Sequence, residues 1–195
     1  MSLRPDLAAI ADAVPPGARV LDIGCGDGAL LSYLRDTKGV DARGIDVSAA
    51  NVAGAVARGL SVVQGDADAD LPDYPDDAFD MAILSDTLQA MRRPGAVLDQ
   101  LVRIASRAVV SFPNFGHWRV RGSLLFGGHM PVTRSLPVSW HETPNIHFCT
   151  IDDFRDLVAQ RGLRVESAAF LSGGTRRGAG LANLLAEQAV FVLAR

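Results

Sequence analysis

Asp22, Asp46, Asp66 and Ser85 each close, or nearly close, a short run of branched apolar residues. That pattern reads as a polar group at the end of a buried parallel strand. Ligands of open α/β sheets bind outside the carboxyl ends of the strands, so these residues converge on one crevice. The first run, Arg19-Val-Leu-Asp-Ile-Gly-Cys-Gly-Asp-Gly28, ends abruptly in glycines and is followed by the helical pattern Ala29-Leu-Leu-Ser-Tyr-Leu. Glycines at 24, 26 and 28 permit a tight turn and let a ligand approach the backbone. The helix N-terminus beyond offers unpaired N–H groups to an electron-rich ligand group. The chemistry is that of a nucleotide-type binding turn.

Gly24-Cys25-Gly26-Asp27-Gly28-Ala29 also satisfies the dinucleotide fingerprint G-x-G-x-x-G/A, with Asp46 about twenty residues on, where a ribose-binding carboxylate belongs. Asp22 argues against NAD, because it sets a carboxylate beside the position of an anionic pyrophosphate. It suits a cationic ligand such as the ammonium and sulfonium of S-adenosylmethionine (SAM). The stretch resembles motif I of the class I SAM-dependent methyltransferases, V-L-D-x-G-x-G-x-G. That resemblance implies a Rossmann-like α/β fold binding SAM or its demethylated product S-adenosylhomocysteine (SAH). Asp22, Gly24, Cys25, Gly26 and Gly28 would face the methionine part. Asp46, with Val47 beside it, would accept from the ribose hydroxyls, Asp66 and Ala67 would sit near the adenine amino group, and Ser85 would line the far side. The sequence Ser85-Asp-Thr-Leu88 lacks the Asn/Asp-Pro-Pro-aromatic motif of many amino-group methyltransferases, which disfavours nucleic-acid amines as acceptors.

The elements that must hold these residues follow from periodicity. Leu3, Leu7, Ile10 and Val14 mark a leading helix, stopped by Pro15-Pro16-Gly17. Strands are expected at 42–46, 60–66, 79–85 and 108–112, alternating with helices capped by Ser48 and spanning 97–105. Thr150-Ile-Asp-Asp153 reads as a capping box opening a helix that ends at Gly162. Residues 163–170 and 188–193 read as two strands without a long crossover, predicting a C-terminal antiparallel hairpin on an otherwise parallel sheet. Class I methyltransferases finish this way, and NAD-binding domains usually do not.

The chain of 195 residues is 48% hydrophobic and 21% charged, with a net charge of −3. This fits one domain over 1–195, with no global attraction to nucleic acid or an anionic membrane. Apolar runs are short and broken by charges, and the N-terminus has no signal-like pattern, so a cytoplasmic location is expected. Two cysteines, Cys25 and Cys149, make no disulfide framework.

The insertion at 113–149 interrupts the strand–helix alternation and carries all four histidines and both tryptophans. Long insertions with aromatics are more often functional than filler. Three uses compete. His141, His147 and Cys149 could ligate a metal, although no paired short spacing supports it. His117, Trp118, Arg119 and Arg121 could stack on RNA, although the basic cluster is small. The third use is a substrate lid or protein-docking surface, offered by Asn114, His117, Trp118, Arg119 and Arg121. A loop folded over the sheet with its aromatics in the core explains the same composition.

Beyond motif I, the stretches 83–90, Ser111-Phe-Pro-Asn-Phe-Gly-His-Trp-Arg-Val-Arg121, Leu125-Phe-Gly-Gly128, Met130-Pro-Val-Thr133, Thr143-Pro-Asn-Ile-His147 and 186–191 resemble the methionine-biosynthesis protein MetW family. Asp86 stands where that family's pattern has Gln. The resemblance implies a SAM-fold accessory protein associated with homoserine O-acyltransferase. The insertion would dock that enzyme, and SAM occupancy would report methionine status to it. The alternatives are a SAM-dependent methyltransferase acting on a small molecule beneath the insertion, and an NAD-dependent oxidoreductase.

Overall fold

The computed structural model describes residues 3–133 and 135–195. Helix α1 (Pro5–Ala13) precedes the alternation β1 (Arg19–Ile23), α2 (Ala29–Lys38), β2 (Asp41–Asp46), α3 (Ala49–Ala57), β3 (Ser61–Gln64), the short α4 (Ala67–Asp70), β4 (Phe79–Ser85), α5 (Pro94–Ile104) and β5 (Ala105–Pro113). After it come α6 (Trp118–Gly122), α7 (Ile151–Gln160), β6 (Arg164–Ser172), β7 (Thr175–Arg177), α8 (Ala182–Leu185) and β8 (Gln188–Ala194). The strands form one sheet in the order β3-β2-β1-β4-β5-β8-β6-β7. Pairings from β3 to β5 are parallel, and those of β8 with β5 and β6 are antiparallel.

The mostly parallel sheet with an antiparallel C-terminal pair agrees with the sequence reading. One detail differs. The last strand slots between β5 and β6, and the intervening residues form β7 and α8, neither of which has a periodic signal long enough to read. β8 is buried along nearly its whole length because it pairs on both edges and is covered on both faces.

Local signals hold at the element ends. Ser48 caps α3 by accepting from the Asn51 N–H, and Gly59 ends that helix in the left-handed region. Thr150 and Asp153 form the full capping box of α7. Helices cover both faces of the sheet. On one face Phe112, Phe154 and Phe191 meet with centroids 4.7 to 6.0 Å apart, clamping α7 onto β5 and β8. Such pairs each add about 0.5–1.5 kcal/mol beyond area burial. On the other face α1 and α2 pack Ile10, Val14 and Leu34 against Val20, Ile83 and Val109. Among the described residues, no helix is long and apolar enough to cross a membrane.

Candidate functional site

β1 turns into α2 through two glycines that nothing larger could replace. Gly24 has φ +71°, and a Cβ there would meet the Thr87 Oγ1 at 2.5 Å. Gly28 has φ +78°, and its Cβ would meet Leu60 at 2.3 Å. The turn is therefore pressed against the loop after β4 on one side and against Leu60, just before β3, and Ala55 of α3 on the other.

A crevice of about 370 Å³ opens beside it, at the carboxyl ends of the strands. Of the residues singled out in the sequence, Gly24, Asp46, Val47, Asp66 and Ala67 line it. Asp86 lines it too, as do Thr87, Arg92 and Asn145, whose place in the crevice no local pattern assigns. Thr87 and Arg92 stand in loops after β4 without periodicity. Asn145 arrives from the insertion, a neighbour that no local pattern announces.

Asp22, expected to converge on the crevice, does not line it: it lies beneath the turn, 2% exposed, because β1 is covered on both faces, and its Oδ1 has no hydrogen-bond partner among the described residues. Burial, and then the nearby Asp46 carboxylate, push its carboxyl up to about 8. An unpaired buried carboxylate is costly and is relieved by a proton or a cation. Asp46 differs. Its carboxylate accepts from the Gly26 N–H at 2.8 Å, the Ser48 N–H at 2.9 Å and the Asn51 Nδ2 at 3.1 Å. A carboxylate has about four lone-pair sites, so Asp46 retains room for about one further donor. It holds the turn to α3 as well as facing the crevice.

Other expected positions behave differently. The Cys25 side chain points away from the crevice into an apolar cluster with Leu31, Ala55 and Leu60. Burial and the charges of Asp22 and Asp46 push its thiol up to about 12, and burial holds Cys149 at about 11, so both thiols are unreactive at neutral pH. Gly26 and Gly28 shape the turn rather than line the crevice, and the Ser85 hydroxyl accepts from the Ser111 hydroxyl at 3.3 Å behind it. Asp66 faces the crevice while capping α4 through the Asp68 N–H.

The insertion folds over the same end of the sheet. Phe115 N–H donates to the Cys149 carbonyl, and Ile146 and His147 N–H groups donate to the Gln89 carbonyl, so both ends of the segment are tied down. Two residues expected on a partner or substrate surface are not on one. Asn114 is 1% exposed and makes four hydrogen bonds: Nδ2 to the carbonyls of Asn183 and Ala186, Oδ1 from the N–H groups of Gly116 and Ile151. His117 is 4% exposed, and burial lowers its pKa, keeping the ring neutral. Asn114 is buried because the insertion's root packs on α7 and α8, which follow it in the chain, and His117 lies near Glu187, the residue before β8. Arg121 Nε is turned back onto the Gly116 carbonyl at 2.6 Å. Trp118 does face solvent, with the Arg119 guanidinium 5.3 Å from its ring centroid. Beside it stands a feature missed in the sequence: Leu125 and Phe126 are 77% and 87% exposed. Among the described residues, no group of three or more His, Cys, Asp or Glu side chains could hold a metal ion.

The site fits SAM on three counts. Asp22 supplies an unpartnered buried carboxylate, Gly24 presents backbone without a side chain, and Asp46 faces the crevice with acceptor capacity in hand.

Comparison with known proteins gives the family and the fold. A family model described as methionine biosynthesis protein MetW matches residues 4–193. The bifunctional methionine biosynthesis protein MetXA/MetW of Rhodopirellula baltica is 35% identical over 179 residues, covering 87% of this chain. The match spans 29% of that relative's length. The fold resembles an S-adenosylmethionine-dependent methyltransferase from Mesorhizobium loti, with a TM-score of 0.72, 18% identity and 98% of each chain covered. It also resembles the magnesium protoporphyrin IX methyltransferase of Synechocystis with bound SAH, at TM-score 0.64 and 20% identity, covering 97% of this chain and 80% of that one. Likeness at such identity shows the fold alone.

Proposed function

The chain belongs to the MetW family of methionine biosynthesis proteins, and on that premise we propose that it is a SAM-binding accessory protein that associates with homoserine O-acyltransferase and supports its activity. The observation that carries the partner is the Rhodopirellula baltica relative, whose name joins a MetXA part to a MetW part in one bifunctional protein. We read the MetXA part as the acyltransferase. Two activities joined in one polypeptide work at a high effective concentration, which is the usual reason for separate chains to associate.

On this reading the two halves of the site do different work. Asp22 balances the positive charge of SAM or SAH from beneath the turn, Asp46 takes one ribose hydroxyl, and Asp66 stands at the adenine end. SAM, when bound, supplies a methyl group activated by its sulfonium. Trp118, Arg119, Leu125 and Phe126 present an apolar surface with a cation beside it, outside the crevice. Aromatic residues and arginine are the groups that contribute most at protein interfaces. The protein acts where the acyltransferase acts, in the cytoplasm.

The test is co-purification with homoserine O-acyltransferase from the same organism, with acyl transfer assayed in the presence and absence of the chain. A stable complex with raised activity supports the reading. No complex and no activation overturns it, and methyl transfer to a small molecule, screened with labelled SAM, takes its place. SAM affinity measured for the free and complexed protein tests the coupling. If the two are equal, SAM occupancy carries no signal to the partner.

A further inference from the structure

A second cavity, of about 240 Å³, adjoins the crevice under the insertion, sharing Asp86, Pro144 and Asn145 with it. Its polar end is formed by two opposite charges side by side. Asp86 sits in the left-handed region at φ 51°, directly after β4; the Gln188 side chain stands close enough to favour its charged form, but its buried Oδ1 has no partner of hydrogen-bond geometry among the described residues. Arg4, from the residue preceding α1, reaches the other oxygen of the same carboxylate, with Nη2 at 2.9 Å from Oδ2. Asp6, almost fully buried, holds that same Nη2 from behind at 2.7 Å. The remaining guanidinium nitrogens of Arg4 make no hydrogen bond to the described residues. The rest of the cavity wall is mixed: Phe115, Leu136, Trp140 and Phe148 give it apolar surface, and Thr143, Asn145 and Gln188 add polar groups.

Three physical facts converge on one ligand chemistry. A buried carboxylate oxygen without a donor is costly and calls for an N–H or ammonium. A guanidinium with free N–H groups on the same wall matches a carboxylate, which it binds through two parallel hydrogen bonds. The Arg4–Asp86 pair is itself weak, because the Arg4 side chain is 61% exposed, so it can yield to a ligand carrying both charges. We propose that this cavity binds a free α-amino acid, with its ammonium on Asp86, its carboxylate on Arg4 and an apolar side chain among Phe115, Leu136, Trp140 and Phe148. The inference rests on the cavity alone and stands whether or not the adjoining crevice binds SAM.

The test uses the full chain and three ligands differing by one group each: L-norleucine, pentylamine, which lacks the carboxylate, and hexanoate, which lacks the ammonium. Binding is measured by calorimetry and by the fluorescence change of Trp140, with and without saturating SAH. Norleucine is expected to bind saturably in both conditions, with each of the other two at least roughly tenfold weaker, the size of one lost charged contact. Asp86→Asn should bring norleucine down to the level of hexanoate, and Arg4→Gln down to that of pentylamine. The proposal falls if the unmodified chain binds none of the three, if pentylamine or hexanoate binds as well as norleucine, or if SAH displaces norleucine. It also falls if both variants fold and keep the wild-type preference. Should a variant fail to fold, the three-ligand comparison on the unmodified chain decides alone.

Discussion

The turn after β1 and the root of the insertion after β5 treat their polar groups in opposite ways. At the turn, Asp22 is enclosed with one oxygen unpartnered and another carboxylate nearby. At the insertion, Asn114 is equally enclosed but fully partnered, its amide linking residues 116, 151, 183 and 186. The insertion's apolar groups are what stand unpartnered, with Leu125 and Phe126 in solvent beside the helix turn that Asn114 anchors. A buried polar group without a partner marks a place where a small polar ligand gains most. An exposed apolar patch on a well-anchored support marks a place where another macromolecule gains most. One molecule thus carries two kinds of incompleteness, separated by which groups its own fold satisfies.

That contrast can be broken most severely at Asn114. Asn114→Ala leaves two carbonyls and the Gly116 N–H without their partner in a buried site, while the Ile151 N–H keeps the Asn183 Oδ1 at 3.1 Å, and should destabilise the chain by about 3 kcal/mol in chemical denaturation. A loss below about 1 kcal/mol would mean that water replaces the amide. Asp22 should respond in the opposite direction. In the folded chain its carboxyl is held up to about 8, whereas in the unfolded chain it ionises near 4. Between those values the folded state binds more protons, so unliganded stability falls as pH rises across that window. Asp22→Asn should remove the slope, raise stability at pH 8 by on the order of 2 kcal/mol, and weaken SAM binding. A melting series from pH 4 to pH 8 and a SAM titration check both signs. If the variant is less stable at pH 8, Asp22 has a partner in solution.

Smaller effects sharpen the contrast. Thr150→Ala breaks only the capping box of α7 and should cost about 1 kcal/mol. A fall in thermal midpoint well short of that of Asn114→Ala would separate an ordinary cap from the four-way amide next to it. Least of all, Leu125→Ser with Phe126→Ser should leave stability within about 0.5 kcal/mol, since neither side chain is buried. The same pair should weaken acyltransferase association at least roughly tenfold, as loss of an interface anchor does. Unchanged association in a pull-down would move the docking surface elsewhere.

Much of this contrast was legible before any fold was known, and the parts that were not share a cause. Periodicity and punctuation in the chain are local: the apolar runs, the glycines at 24 and 28, the Ser48 cap, the Thr150 box and the acids at strand ends act within a few residues of themselves. They determined the alternating architecture and brought Asp46 and Asp66 to one crevice. Tertiary structure decided whatever depends on a partner far along the chain. Cys25 shares the turn with Gly24 but points to the opposite side, because Leu60 and Ala55 fill that space. Asn114 looks like a surface group until α7 and α8 close over it. Arg4 reaches Asp86 across 82 residues. In a segment without a regular period, such as 113–149, burial is set by which distant residues arrive to satisfy each polar group. That pairing exists only once the sheet has assembled.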